Sequence, residues 1–142
     1  MERRDFLRKA CLGSVFSAAF LEACKTSSLS LYKTSATNDV VSIPLDTFVV
    51  GDAKVVRVSR YNYDIAVMKQ PSGEYLALLL MCTHAGQALT KTGSGYLCPL
   101  HNSRFSATGE VLKAPADEPL RHLKTWVDEL NVLVKLDPKY KS

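Results

Sequence analysis

Two short bites of cysteine and histidine, Cys82-x-His84 and Cys98-x-x-His101, constrain this chain more than any other feature. The thirteen residues from Ala85 to Leu97 separate them and include Gly86, Gly93 and Gly95. Thiolate and imidazole are natural ligands of iron and zinc, so a fold that brings the bites together can hold metal. Three plainer readings stand beside that one. Cys82 and Cys98 could close a disulfide in an oxidising compartment, with both histidines incidental. All four could hold one structural zinc. They could also be unrelated loop and core positions. A disulfide leaves unexplained why each cysteine carries a histidine at close spacing on its C-terminal side, in a chain with only three histidines. Zinc fingers pair cysteine with cysteine and histidine with histidine within a bite, whereas here each bite holds one of each. That interleaving fits two metals, one met by the two cysteines and the other by the two histidines.

The chain around the bites reads as short strands. Val40–Ile43, Thr47–Val50 and Ala53–Val58 are rich in β-branched residues and broken by Pro44 and Gly51-Asp52. Asp64–Gln70 and Glu74–Met81 flank Pro71-Ser72-Gly73, a hairpin signal. Lys124–Asp128 and Val132–Leu136 form a second hairpin around Glu129 to Asn131. The Leu-rich run at 76–81 has helical propensity but is short and follows a glycine turn. No segment past residue 40 sustains a helical period with caps. The expected fold class is all-β, an antiparallel sandwich or barrel spanning 40–137, followed by a short tail at 138–142.

Cys-Thr-His-x-Gly at Cys82 to Gly86, Cys-Pro-x-His at Cys98 to His101, then Ser103-x-Phe105 and Gly109-Glu110-Val111, together resemble the Rieske iron–sulfur proteins from about Val40 to Leu136. The resemblance implies one [2Fe–2S] cluster, with Cys82 and Cys98 on one iron and His84 and His101 on the other. It implies a Pro-containing loop closing over the cluster from a third side, matched here by Lys113 to Leu120 with Pro115. In members from cytochrome bc-type complexes a disulfide joins the two loops; Gln87 and Leu100 stand at its positions. Those members also use a serine and a tyrosine hydroxyl as donors near the sulfurs. Ser103 matches the serine, and Phe105 replaces the tyrosine. Gly86 sits where a backbone N–H could approach a bridging sulfide. Gly93, Gly95 and Gly109 read as turn residues, His122 as a surface or lid residue, and Tyr96 and Trp126 as packing.

The first 23 residues carry a basic head, Arg3-Arg4-x-Phe6-Leu7-Arg8-Lys9, and an apolar small-residue run from Ala10 to Ala23. This is the pattern of an export signal, too short for an ordinary membrane span of roughly 20 apolar residues, and it resembles the twin-arginine signature. Leu21-Glu22-Ala23-Cys24 resembles a lipoprotein box, which would make Cys24 a lipid-carrying residue, although Glu22 departs from the pattern; Cys11 is signal filler. Residues 24–39, Ser/Thr-rich and without hydrophobic period, read as a tether. Beyond residue 23, fourteen basic and eleven acidic residues remain, a balance of about +3. Lysines and arginines are spread along the chain, which leaves no nucleic-acid footprint.

No second His/carboxylate set for a mononuclear iron and no Gly-rich nucleotide loop is present, so no catalytic residue is expected. The resemblance instead implies one-electron transfer, and the N-terminal signal pattern an exported, membrane-tethered protein on the periplasmic side. Its partner would be a cytochrome, a quinol-oxidising complex or an oxidoreductase large subunit. The alternatives are the small subunit of a two-subunit oxidoreductase of the arsenite oxidase type and a zinc-bound module without redox chemistry.

Overall fold

The computed structural model describes residues 31–142. The export signal, Cys11 and the expected lipid attachment at Cys24 lie outside the described residues. The strands, in chain order, are β1 (Tyr32–Thr34), β2 (Val40–Pro44), β3 (Ala53–Val58), β4 (Ile65–Lys69), β5 (Tyr75–Leu79), β6 (Thr90–Lys91), β7 (Gly95–Leu97), β8 (Arg104–Ser106), β9 (Val111–Lys113), β10 (His122–Leu123), β11 (Thr125–Val127) and β12 (Asn131–Lys135). They form three sheets, ordered β1-β3-β4-β5-β10, β11-β12-β2 and β6-β7-β8-β9. The class is all-β, as the alternation and turn residues predict.

Two of these sheets make a base. Val56, Val58, Ile65, Val67, Ala77 and Leu79 of the five-stranded sheet pack against Val41, Ile43, Val132 and Val134 of the three-stranded one. The five-stranded sheet is buried on its other face too. Ala66 and Leu78 join Leu80, Cys82, Leu89, Tyr96, Cys98, Phe105, Ala116 and Leu120 in a second core. Neighbouring residues of a strand point to opposite faces, so burial on both faces explains the unbroken apolar runs Ile65-Ala66-Val67 and Ala77 to Leu80. The helical propensity of the Leu-rich run is overridden by this pairing, with Ile65 opposite Leu79, Ala66 opposite Leu78 and Val67 opposite Ala77.

The four-stranded sheet belongs to an insertion of about forty residues between two hydrogen-bonded neighbours, β5 and β10. Its neck is closed by Leu79 N–H to Arg121 C=O at 3.0 Å and Leu80 N–H to Asp64 C=O at 3.0 Å. Both cysteine–histidine bites and the Pro115 segment lie in this insertion. Gly95, read from sequence as a turn residue, is instead in β7, where a Cβ would strike the Phe105 carbonyl on the neighbouring strand. Gly109, with φ +93°, leaves a Cβ position 3.1 Å from both Leu78 and Leu120, so it serves turn and packing together.

Three further expectations change. Tyr32–Thr34, assigned by sequence to the tether, pairs in parallel with Val56–Val58, so the folded part begins earlier and the fold is not wholly antiparallel. Tyr32 packs on the base core, and a single aromatic in a Ser/Thr-rich stretch has no period to betray it. Thr47–Val50 is not a strand. A 3-10 turn at Leu45–Thr47 follows Pro44, and Val49 and Val50 are exposed. The short tail expected at 138–142 joins the fold: a 3-10 turn at Pro138–Tyr140 packs Tyr140 on the base core, and Lys141 bridges to Tyr61.

Candidate metal centre

The two bites fold into loops with one shared hydrogen-bond pattern. In the first, Cys82 N–H donates to Gln87 C=O at 2.7 Å and Gly86 N–H donates to Cys82 C=O at 2.8 Å. In the second, Cys98 N–H donates to Ser103 C=O at 2.9 Å and Asn102 N–H donates to Cys98 C=O at 2.9 Å. Each cysteine is thus held at both backbone groups by residues four and five positions on. The fourth position takes a left-handed backbone in both loops, Gly86 at φ +68° and Asn102 at φ +63°, a conformation for which glycine and asparagine are the usual residues. Gly86 N–H, expected near a bridging sulfide, is therefore engaged by the Cys82 carbonyl, and the glycine serves the turn.

These paired turns bring the four side chains together in two pairs. Cys82 and Cys98 are fully buried in the second core and are not joined in a disulfide. His84 and His101 are exposed, their rings edge to face with centroids 4.9 Å apart. Burial pushes the Cys98 thiol up, but the N–H groups of His101 and Leu100 and the Cys82 thiol outweigh it and leave Cys98 below the ordinary cysteine range. Backbone donors aimed at a sulfur favour its thiolate, the form that binds metal.

A sulfur pair inside and an imidazole pair outside suits a two-iron cluster, in which each iron takes only two protein ligands. The donor set fits that group.

The Pro115 segment touches both loops. Thr83 Oγ1 donates to Glu118 C=O at 2.7 Å on the first loop's side, and Ala116 N–H donates to Ser103 Oγ at 3.0 Å on the second's. Pro115 itself is exposed and follows a cis peptide bond, while Ala116 and Leu120 are buried in the second core. Gln87 and Leu100, at the positions of a clamping disulfide in cytochrome bc-type members, are both exposed. Phe105 is fully buried opposite Tyr96, and burial pushes the Tyr96 hydroxyl up to about 12. His122 is exposed in β10, and Trp126, expected to be packing, is 38% exposed in β11.

One contact is absent from the sequence reading. Tyr63 Oη donates to Gly86 C=O at 2.7 Å, across 23 positions of chain. No local spacing could reveal it.

An inserted subdomain that presents buried sulfurs and exposed imidazoles defines an iron–sulfur domain with cysteine and histidine ligation. The Rieske [2Fe–2S] domain model matches residues 39–126, and this chain belongs to that family. The chain is 25% identical over 97 residues to the cytochrome b6-f complex iron-sulfur subunit of Chlorobaculum thiosulfatiphilum, covering 63% of this chain and 54% of that one. It is 32% identical over 100 residues to cytochrome b6-f complex iron-sulfur subunit 1 of Nostoc sp., covering 66% of this chain and 55% of that one. It thus spans about half the length of these two relatives. The crystal structure of the plasma membrane Rieske protein PetC3 from Synechocystis PCC 6803 superposes with a TM-score of 0.52 at 28% identity, covering 68% of this chain and 99% of that one. Among the described residues no helix is long and apolar enough to cross a membrane.

Proposed function

We propose that this chain passes single electrons through one [2Fe–2S] cluster, with Cys82 and Cys98 on the inner iron and His84 and His101 on the outer. The observation that carries the reading is the division of the donors into a buried sulfur pair and an exposed imidazole pair 4.9 Å apart. Bound there, the cluster supplies a one-electron couple in the range of roughly −150 to +300 mV. The protein's part is to shield the sulfur side within the second core and to present the histidine side to a partner. Ser103 and the segment through Pro115 cover the site from the third direction, and Ser103 tunes it through its hydroxyl. With that donor retained and a phenylalanine at 105, the midpoint falls inside the range and below its top.

The partner is a redox protein: a cytochrome, a quinol-oxidising complex or an oxidoreductase large subunit. Relatives that are subunits of cytochrome b6-f complexes support an electron-transport setting. The basic head and the Leu21 to Cys24 box support export by a twin-arginine route and a lipid anchor at Cys24, placing the domain on the periplasmic side of a membrane. A redox titration of the purified full-length protein tests the electron-transfer reading. A reversible one-electron midpoint between about −150 mV and somewhat below +300 mV is expected. A midpoint at the top of the range contradicts the tuning argument, and no reversible couple contradicts the function. Co-purification of a large catalytic subunit would make the chain that enzyme's small subunit.

A further inference from the structure

Among the described residues no disulfide ties the two loops, whose Cys82 and Cys98 are both free. The two loops share one backbone pattern, yet their outer supports differ. At the fourth position of the first loop, the Gly86 carbonyl receives the Tyr63 hydroxyl at 2.7 Å. Tyr63 belongs to the base, in the connection between β3 and β4, so this hydrogen bond runs from the base into the loop that carries Cys82 and His84.

The tyrosine is itself held. Its ring meets Tyr140 edge to face, centroids 5.5 Å apart. Lys139 Nζ stands 4.7 Å from the centre of the Tyr140 ring and the Arg121 guanidinium 6.0 Å away. Both cations also reach the Asp137 carboxylate, at 3.2 and 3.6 Å. Asn62 N–H donates to Tyr140 C=O at 2.9 Å, which fixes the residue beside Tyr63 to the same C-terminal turn. Arg121 closes the neck of the insertion through its own carbonyl. The C-terminal turn, Tyr63 and the neck therefore form one brace against the first loop.

We infer that Tyr63 is a positioning residue for the metal centre: its hydroxyl, steadied by Tyr140, fixes the first loop and with it the placement of His84 against His101. The hydroxyl donates to the Gly86 carbonyl, and the carbonyl of Gln87, one peptide further on, accepts the Cys82 N–H. A loop anchored at Gly86 keeps both ends of the Cys82–His84 bite in place without a covalent clamp. This inference rests on the four-ligand reading above.

The test compares full-length wild type with Tyr63→Phe and Tyr140→Leu. Tyr63→Phe keeps the ring and its stack on Tyr140 and removes only the hydroxyl, whereas Tyr140→Leu keeps the hydroxyl and removes its support. Amide hydrogen exchange is read at Cys82, and the reduced-state electron paramagnetic resonance spectrum and midpoint are read on the loaded protein. In Tyr63→Phe, Cys82 N–H should exchange about tenfold faster, as loss of one hydrogen bond allows. Amides of β12, remote from the loop, should be unchanged. The resonance lines should broaden or shift and the midpoint should move, and Tyr140→Leu should produce the same changes more weakly. If exchange, spectrum and midpoint all match wild type in Tyr63→Phe, the inference is wrong. If β12 amides accelerate as much as Cys82, the tyrosine is a general stability element and the inference is equally wrong. Failure of the wild type itself to hold iron would overturn the four-ligand reading instead, a separate result.

Discussion

Ala116 N–H donates to Ser103 Oγ at 3.0 Å, and both residues are buried. The bond joins the second cluster loop to the Pro115 segment. Because the serine oxygen is the acceptor, the hydroxyl keeps its hydrogen for another partner. Ser103 C=O also receives Cys98 N–H, so one residue ties the Cys98 backbone to the Pro115 segment.

Ser103→Ala should therefore have two effects at once. If the hydroxyl donates to the cluster sulfurs as proposed, the midpoint of the loaded protein should fall. Ala116 N–H would be left buried without its partner, at a cost of about 1–3 kcal/mol. Redox titration reads the first and thermal unfolding the second. Unchanged potential with lowered stability would leave Ser103 as a purely structural link.

A second pair links pH to the closure of the chain ends. Tyr61 Oη donates to Asp39 at 2.6 Å, and Lys141 Nζ lies 3.2 Å from the same carboxylate oxygen. The Tyr61 hydrogen bond, then that of Lys141, holds Asp39 below its usual range. Burial, then Asp39, pushes Tyr61 up to about 12. A depressed carboxylate contributes stability above its unfolded value, lost as pH falls through the folded one. A raised tyrosine contributes below about 10, its ordinary value, and loses that contribution as pH climbs through its folded value. Asp39→Asn should flatten the acid side of the stability profile and Tyr61→Phe the alkaline side, both measured as urea midpoints against pH. In an absorbance titration, Tyr61 and Tyr96 should ionise near 12.

Gly95→Ala places a methyl against the Phe105 carbonyl. The neighbouring atom is backbone within the β7–β8 pair, so it cannot move aside as a side chain could. A loss of roughly 2 kcal/mol or more is expected, with weaker retention of iron because Cys98 follows β7 directly. Gly93→Ala is the control, since a Cβ there meets nothing within 4 Å. Equal denaturation midpoints for the two variants would contradict the close-approach argument.

The candidate metal centre was legible in sequence, as two bites that the fold brings together, because each bite is local. Two or three positions fix a cysteine beside a histidine, and the turn that shapes each loop ends within five residues. The base was legible where strands are long enough to alternate or to run apolar, as in β3, β4, β5 and β12. The insertion's sheet was not, because its strands are two or three residues long and are set by backbone pairing across hairpins. Thr47–Val50 has strand composition, yet Pro44 and the 3-10 turn after it take the chain out of the sheet. Tyr32, Tyr63 and Tyr140 act through partners 23 or more positions away, which no local period records.

The most direct measurement of the central claim is metal and sulfide analysis of the purified full-length protein with electron paramagnetic resonance of its reduced form, repeated on His84→Ala. Two irons and two labile sulfides per chain, with a rhombic signal that disappears in the variant, are the expected result. One zinc per chain with no signal, or a variant that folds and keeps an unaltered two-iron signal, would contradict it.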